Sequence, residues 1–206
     1  MTSESDLEYI AVQALEFVWL LHGDEEYLRR YLPVAEKGIE YLTSDALRWD
    51  SETGLVKRGH TCDTWDFDIE HDGYRPELSS VAAICDQSGL FAAYQALARM
   101  NEYLGMVGKA ATYLDKARLL RERCRDRFWD GSKYKHHIHI NHLGHEGFDE
   151  SEQLSMGNVW MMTRQAANSE ESCSIISEYV NRLRSTGHAF PWWSLERGIQ
   201  CIWERC

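Results

Sequence analysis

Apolar residues recur every three or four positions in several stretches of the chain, which is the pattern of amphipathic helices. The first such stretch runs from about Ser5 to Leu21. A second stretch follows, and two starts are open for it: an N-cap at Asp24, or Pro33 in the first helical turn. The positions of the first stretch expected to face the core are Leu7, Ile10, Ala11, Ala14, Leu15, Val18 and Leu21.

The middle of the chain breaks this pattern. Residues 46–77 are rich in Gly, Asp, Thr and aromatic residues and lack a helical period, which predicts a long loop with a short pair of strands. Loops of about thirty residues are uncommon in compact domains and usually functional. The third helix is then predicted to be capped by Ser79 or Ser80 and to reach about Tyr103.

The second half of the chain repeats the helical pattern. A fourth helix follows LGM, and Asp130-Gly131 predicts a tight turn before a short strand in KHHIHI. A fifth helix is expected from about Leu154 to Ala167. The sixth has a predicted buried stripe of Ile175, Ile176, Tyr179, Val180 and Leu183. The sequence thus predicts an all-α protein, a single helical domain over 1–206, made of helical hairpins whose long polar connections gather at one end.

Composition and charge narrow the classes of partner. The net charge of -11 argues against nucleic acid and anionic membrane surfaces. No apolar run approaches the roughly 18 residues of a membrane span, and MTSESDLEYI lacks a signal-peptide pattern, so a cytoplasmic protein is expected. The six cysteines have irregular spacing, which favours free, packed thiols over a disulfide framework or a zinc site.

The segment TCDTWDFDIEHDG, residues 61–73, combines four Asp and one Glu with two large aromatics. Burial beside an aromatic ring and a neighbouring carboxylate can raise the pKa of an acid enough for it to donate a proton near neutral pH. Trp65 next to Asp66 has this composition. The alternative is a solvated acidic loop in which the carboxylates cap local backbone amides.

Four stretches together resemble the six-hairpin glycosidases, the (α/α)6-barrel enzymes that include glucoamylases and glycogen-debranching-type glucosidases. These stretches are TWDFDIEHDG, CDQSGLFAAYQALARMNEYLG, ATYLDKARLLRERCRDRFWDG and HAFPWWSLE, and they cover most of residues 50–196. The resemblance implies hydrolysis or binding of α-linked glucosides without a cofactor. A full barrel has twelve helices and this sequence predicts about six, so half of an (α/α)6 toroid is expected. Two explanations are open: the sequence is a fragment or truncated product of a longer barrel, or a homo-oligomer completes the ring with a second copy.

The resemblance also implies a set of site residues. Glycoside hydrolysis uses two carboxyl groups, one of which protonates the leaving oxygen. By resemblance Asp66 is the first choice for this general acid, followed by Asp63 and Asp68, while the second carboxylate would come from a late hairpin. The residues expected to contact the sugar are Trp65, Asp86, Gln87, Glu146, Trp192 and Trp193. Asp86 lies inside an apolar helix, so a buried hydrogen bond within the protein is the alternative for it.

The segment KHHIHINHLGH contains five histidines within ten residues. In a strand His137 and His139 share one face, while His136 and His142 share the other, a spacing that can bind zinc or nickel. Because no paired cysteines and no HExxH motif accompany them, no dedicated metal site is expected.

Two other functions remain open. One is a non-catalytic helical-hairpin scaffold for protein partners. Hairpin starts near residues 5, 79 and 150 are about 70 residues apart, twice the 34-residue period of tetratricopeptide repeats, which favours the glycosidase. The other is a metal-dependent hydrolase built from the histidines and the residues Asp63 to Asp68.

Overall fold

The computed structural model describes residues 6–58, 81–140 and 156–186. This part of the chain is all-α, with six helices and only short strands. The helices are α1 (Leu7–His22), α2 (Glu25–Leu42), α3 (Ile84–Tyr103), α4 (Val107–Phe128), α5 (Met156–Thr163) and α6 (Ser169–Thr186). The strands are β1 (Trp49–Asp50), β2 (Leu55–Val56), β3 (Val81–Ala83) and β4 (His137–His139). None of the described helices is both long and apolar enough to cross a membrane.

Helix α3 lies at the centre of the described structure. Fifteen of its 20 residues are buried, because α1, α4 and α5 all pack against it. A helix with neighbours on several sides is expected to be apolar around most of its circumference, as this one is. Buried residues from Tyr9 in α1 to Ile175 in α6 form one hydrophobic core.

The packing of α1 on α3 depends on Gly89. A Cβ atom built at this position would lie 2.4 Å from Cε2 of Tyr9, well inside van der Waals contact. Glycine in mid-helix costs about 1 kcal/mol relative to alanine, so its presence there requires a compensating contact. The ring of Tyr9 supplies that contact, because it occupies the space that any side chain at position 89 would fill.

Two small antiparallel sheets connect the hairpins. In the first, β1 pairs with β2, with Trp49 opposite Val56. In the second, β3 pairs with β4, with Val81 opposite His139. The short strand pair expected within residues 46–77 is therefore confirmed as β1 and β2, and the strand expected in KHHIHI is β4.

The predicted turn at Asp130-Gly131 is also confirmed. Gly131 has φ +105, and its neighbours Trp129 and Tyr134 form a β-bridge. Oδ1 of Asp130 accepts hydrogen bonds from the amides of Ser132 and Lys133 at 2.8 and 2.9 Å. Oδ2 accepts one from Nζ of Lys133 at 2.7 Å, which pairs a buried ammonium with a carboxylate.

The alternative start of α2 at Pro33 is wrong. The helix begins at Glu25, and Oδ1 of Asp24 caps it by accepting a hydrogen bond from the amide of Tyr27 at 2.9 Å. Proline in a helix leaves the carbonyl four residues earlier without its usual donor. Here Pro33 and Arg29 are both exposed, so water can reach that carbonyl.

The N-terminus predicted for α3 is wrong as well. Residues 81–83 form β3, and α3 starts only at Ile84, after Ala83 as N-cap. The extended backbone is favoured because β4 satisfies it: the amide of Ile84 donates to the carbonyl of His136 at 2.9 Å. Pairing with another segment has therefore decided the conformation in place of a local serine cap.

Helices α5 and α6 are found close to their expected positions. Helix α5 ends at Thr163, earlier than predicted, because Gln165 takes a left-handed conformation (φ 59) and the amides of Ala166 and Ala167 fold back to the carbonyl of Met161. In α6 the predicted stripe is only partly buried. Ile175 is in the core, whereas 53% of Ile176 is exposed.

The core face predicted for α1 is wrong. The residues that pack inward are Tyr9, Val12 and Leu15, and of these only Leu15 belongs to the predicted stripe. Leu7, Ile10 and Leu21 instead lie on the outward side, with 63%, 47% and 64% of their surface exposed. The sequence pattern failed here because α1 is apolar on both sides.

Cysteines in the described residues fit the expectation of free thiols. Cys85 and Cys124 are buried and Cys173 is exposed, and all three are reduced.

We expect Gly89→Ala to destabilise the protein by about 1–3 kcal/mol, since the new methyl group overpacks the contact with Tyr9. Gly38→Ala in α2 is the matched control. The atoms nearest to its Cβ would be Cβ and Cγ of Glu8 at an ordinary 3.9 Å. Relief of glycine's backbone entropy should make this variant more stable by about 0.5–1 kcal/mol. Urea unfolding followed by circular dichroism measures both, and equal shifts in the same direction would contradict the packing role of Gly89.

We expect Asp130→Asn to lower stability at pH 6 by an amount that fades in acid. Burial acts to raise the pKa of Asp130, but the hydrogen bonds from Lys133 and Ser132 outweigh it and lower the pKa to about 2. A carboxyl with a lowered pKa stabilises the fold above its unfolded pKa, and this contribution is lost as pH falls toward the folded value. The difference in urea midpoint between variant and parent should therefore vanish between about pH 4 and pH 2. The exposed Asp126→Asn should show little difference at any pH.

Candidate functional site

A buried ion pair lies at the N-terminal end of α3. Only 1% of Asp86 and 6% of Arg58 is exposed, and Nε of Arg58 lies 3.1 Å from Oδ2 of Asp86. The hydroxyl of Tyr9 donates a hydrogen bond to Oδ1 of Asp86 at 2.9 Å. Burial raises the pKa of Asp86, while the positive charge of Arg58 and the Tyr9 hydrogen bond oppose that rise. Three separate segments thus meet at one carboxylate.

The same environment suppresses ionisation of the neighbouring groups. Burial, together with the charge of Asp86, raises the pKa of the Tyr9 hydroxyl far above its ordinary range. Burial likewise raises the pKa of the Cys85 thiol to about 12. Because only the thiolate is a strong nucleophile, Cys85 has no suitable form for nucleophilic chemistry at neutral pH. Tyr9 remains a hydrogen-bond donor over the same range.

A second arginine approaches this end of α3 from α5. Nη1 of Arg164 donates to the carbonyl of Cys85 at 3.1 Å and to Oγ of Ser88 at 2.8 Å. Its guanidinium also lies over the ring of Trp160, 4.9 Å from the ring centre, and over Tyr9 at 5.9 Å. Burial lowers the pKa of Arg164, yet an arginine remains charged at any ordinary pH. Arg164 therefore fixes the end of α5 against the first turn of α3.

The side-chain amide of Gln87 is hydrogen-bonded to the backbone of β2. Its Oε1 accepts from the amide of Val56 at 2.9 Å, and its Nε2 donates to the carbonyl of Val56 at 2.7 Å. The same Nε2 donates to the carbonyl of Ala83 at 3.1 Å. The side-chain amide thus pairs with β2 as a neighbouring strand would. Hydrogen bonding of Gln87 to a sugar stays a prediction, and such a bond would compete with these three.

The ends of two long chain segments converge beside this cluster. The amides of Arg58 and Val81 donate to each other's carbonyls at 2.9 and 3.0 Å, so the segment 59–80 leaves and re-enters the described structure at one place. Val81 is also paired with His139, two residues before the start of segment 141–155. The acidic, aromatic-rich segment and the glycine- and glutamate-rich segment are therefore attached to the same small sheet.

Most of the predicted site residues lie outside the described residues. These are Asp63, Trp65, Asp66, Asp68, Glu146, Trp192 and Trp193. Their roles stay predictions. Asp86 and Gln87 are the two that the structure describes, and both lie in the first turn of α3, directly after β3. Both carboxylate oxygens of Asp86 already contact protein groups, with which a sugar hydroxyl would have to compete. A sugar-binding role for Asp86 therefore also stays a prediction.

The histidine cluster follows the predicted strand pattern only in part, because His136 lies before β4 and its ring centre is 5.0 Å from that of His137 instead of on the opposite face. The rings of His137 and His139 share a face, with centres 5.1 Å apart. Nδ1 of His136 lies 2.8 Å from Nδ1 of His137, a distance that requires a proton on one of the two nitrogens. Within residues 6–58, 81–140 and 156–186, no group of three His, Cys, Asp or Glu side chains could hold a metal ion. His142 lies outside these residues.

Sequence reasoning identified Asp86 but missed the three residues that surround it: Tyr9, Arg58 and Arg164. The signal for them was indirect. An Asp in an apolar helix must have a partner of opposite charge or a strong hydrogen-bond donor, since an isolated buried carboxylate is too costly. That rule requires a partner without saying which of the 22 Lys and Arg residues supplies it. The glycine at position 89 is a second signal, because its cost in mid-helix indicates a close neighbour.

Comparison of the chain with family models, curated proteins and solved structures found no match. The resemblance to six-hairpin glycosidases therefore depends on the quoted sequence stretches, and the site must be argued from its own geometry.

We expect Arg58→Met to cost about 3–5 kcal/mol of stability, because it leaves a buried carboxylate without its cation. Asp86→Asn introduced into the same chain should recover a large part of that loss. The matched control is Arg118→Met, which removes a pair on the surface of α4 and should cost under about 1 kcal/mol. Urea unfolding at pH 7 measures all three.

The loss in Arg58→Met should also shrink in acid. Asp86 has a raised pKa in the folded protein, so protonation favours the folded state, and stability is lost as pH rises from the unfolded value of about 4 through the folded one. A loss that is independent of pH and is not rescued by Asp86→Asn would show that Arg58 acts through its packing and not through its charge.

Proposed function

We propose that this chain is a glycoside hydrolase-like hairpin unit that binds α-linked glucosides through carboxylates and aromatic rings at the N-terminal end of α3. Its six helices would form about half of an (α/α)6 toroid. Asp66 would serve as the general acid, with Asp63 and Asp68 as the neighbouring carboxylates. No cofactor is needed for this chemistry, because proton transfer by carboxyl groups is sufficient.

One observation carries the proposal: segments 59–80 and 141–155 are attached to one sheet. Asp66, the predicted acid, and Trp65, the aromatic residue that would stack on the sugar, belong to the first segment. Glu146 belongs to the second. Arg58 and His139 both pair with Val81. The two segments, which are about 80 positions apart in sequence, are therefore attached to the described structure at the same place. A sugar site needs polar groups from several segments to converge on one ligand.

The buried cluster suits a supporting role in such a site. Catalytic side chains must be held within about 0.5 Å of their productive positions, and this requires a rigid base. Asp86, Arg58 and Tyr9 lock the start of α3, while Gln87 holds β2 against it. In this proposal Asp86 and Gln87 act beneath the sugar subsite, and Trp65 forms its apolar wall.

The resemblance also suggests how the chemistry would proceed. The acid protonates the glycosidic oxygen as the bond to the anomeric carbon breaks, and a second carboxylate activates water or attacks that carbon. In the six-hairpin glycosidases that the sequence resembles, this second carboxylate comes from a late hairpin. A unit of six helices would therefore bind the sugar through the first carboxylate and be inactive when alone.

The proposal is tested by calorimetric titration of the full chain with maltose-type oligosaccharides, alongside a hydrolysis assay on each sugar. We expect binding, with any hydrolysis abolished by Asp66→Asn. The matched control is Asp126→Asn on the exposed surface of α4, which should change neither binding nor hydrolysis. Both variants should retain the circular dichroism spectrum and urea midpoint of the parent.

Each outcome has a distinct meaning. Binding without turnover supports a unit that has one of the two carboxylates. Turnover that survives Asp66→Asn shows that another residue is the acid. Absence of binding to every sugar contradicts the proposal and favours a non-catalytic helical scaffold.

A further inference from the structure

Helix α1 has an outward apolar face in addition to the face that packs in the core. The outward strip consists of Leu7, Ile10, Ala11, Ala14, Phe17 and Leu21, which are exposed, and Val18, which is half-buried, while the exposed Leu20 lies outside it. At 100° per residue the members of the strip fall within an arc about 120° wide on the side opposite Val12 and Trp19. Large side chains on this strip are strongly exposed: 63% for Leu7, 47% for Ile10, 63% for Phe17 and 64% for Leu21.

The charged residues of α1 are turned away from this strip. The helix contains two glutamates, and both form ion pairs with other parts of the chain. Oε1 of Glu8 lies 2.7 Å from Nη1 of Arg48, and Oε1 of Glu16 lies 2.6 Å from Nε of Arg99. Each glutamate side chain is only 13% exposed. The outward strip is therefore uncharged along the whole helix, in a protein whose net charge is -11.

The spacing of the strip is that of a helix that packs against another helix. Positions 7, 10, 14, 17 and 21 alternate steps of three and four residues, which is the a and d pattern of a coiled-coil seam. The order of sizes along this seam is large, large, small, large, large, with Ala14 at the centre. This order is nearly the same when it is read from either end.

We propose that α1 is the self-association surface of the protein, where α1 of a second copy packs antiparallel across a two-fold axis at Ala14. A two-fold interface brings the same surface of both copies together. Ala14 would then face Ala14, Ile10 would face Phe17, and Leu7 would face Leu21. The small central residues let the helix axes approach to about 8 Å, and every large side chain meets another large one.

The small size of the surface limits the expected affinity. The strip presents an apolar patch on the order of 400 Å², which is the size of the largest patch on a typical monomer, and such a patch often marks an interaction site. Doubled over two copies it gives about 800 Å², which is below the area of stable specific interfaces and in the range of weak, transient ones, so we expect a dissociation constant in roughly the micromolar range or weaker. The proposal does not depend on the glycosidase function, because no residue of this strip belongs to the candidate site.

Electrostatics gives the association a recognisable salt dependence. Two copies with a charge of -11 each repel one another at low ionic strength, and the proposed seam contains no ion pair to oppose this. Added salt screens the repulsion. Association through this strip should therefore tighten between low and moderate salt, whereas an interface built on salt bridges would weaken.

Sedimentation velocity on the full chain over a concentration series tests the proposal first. We expect a shift from the 24.0 kDa monomer to a dimer of twice that mass as concentration rises. Phe17→Glu should weaken association at least tenfold, since it places a charge in the seam. The control Leu114→Glu changes a residue on α4 that is 54% exposed and should leave association unchanged. Circular dichroism establishes that both variants are folded.

Cysteine crosslinking tests the geometry. Ala14→Cys should give a disulfide-linked dimer under mild oxidation, because the two-fold axis brings the two sulfurs together. Leu7→Cys should not, as antiparallel packing separates the two copies of residue 7 by about 20 Å along the helix. Ala111→Cys on the exposed side of α4 and the parent chain measure the background from the native cysteines.

Three results would overturn the proposal. A monomer at all concentrations would mean that α1 is covered otherwise, for example by residues 187–206 of the same chain. Association that is unaffected by Phe17→Glu would place the interface elsewhere. Crosslinking of Leu7→Cys but not Ala14→Cys would exclude an antiparallel dimer centred on Ala14.

Discussion

The fold is organised around the need to stabilise one buried carboxylate, that of Asp86. An ionised group removed from water is tolerated only when other groups replace its hydration. Here Tyr9 supplies a hydrogen bond from α1, and Arg58 supplies a positive charge from the residues after β2. Because these groups belong to three segments, satisfying the carboxylate also fixes how α1, the β1–β2 hairpin and α3 are placed relative to one another.

Several neighbouring features follow from that arrangement. Tyr9 can reach Asp86 only if its ring lies against α3, and this requires a glycine at position 89. Arg58 can reach it only if the chain after β2 runs beside β3, where the backbone groups of Arg58 and Val81 pair. We infer that this costly polar group favours a single packing arrangement, a role that buried ion pairs have in some other proteins.

The sequence predicts the number and approximate limits of the helices, because their apolar periodicity and their turn residues are local signals. The Asp130 turn and the N-cap at Asp24 belong to this class. Errors occur where a distant segment decides the outcome. Residues 81–83 form a strand only because β4 is available to pair with them. The inward face of α1 could not be chosen from its own sequence, since both sides are apolar and the groups that its inward side chains contact, such as Asp86 for Tyr9 and Arg48 for Glu8, belong to distant segments. The partners of Asp86 could not be predicted either, because they belong to distant segments. The need for such partners could be predicted, since a buried carboxylate requires them.

The mutual pairing of Arg58 and Val81 has a consequence for how this protein can change over evolution or by design. A segment whose two ends are already joined adds little entropy cost when it grows, and doubling its length costs only about 0.6 kcal/mol. A change in the length of the segment between these two residues therefore costs little in loop closure. In the proposed sugar site, the length of the segment that carries Asp66 could then vary with only a small closure cost to the fold.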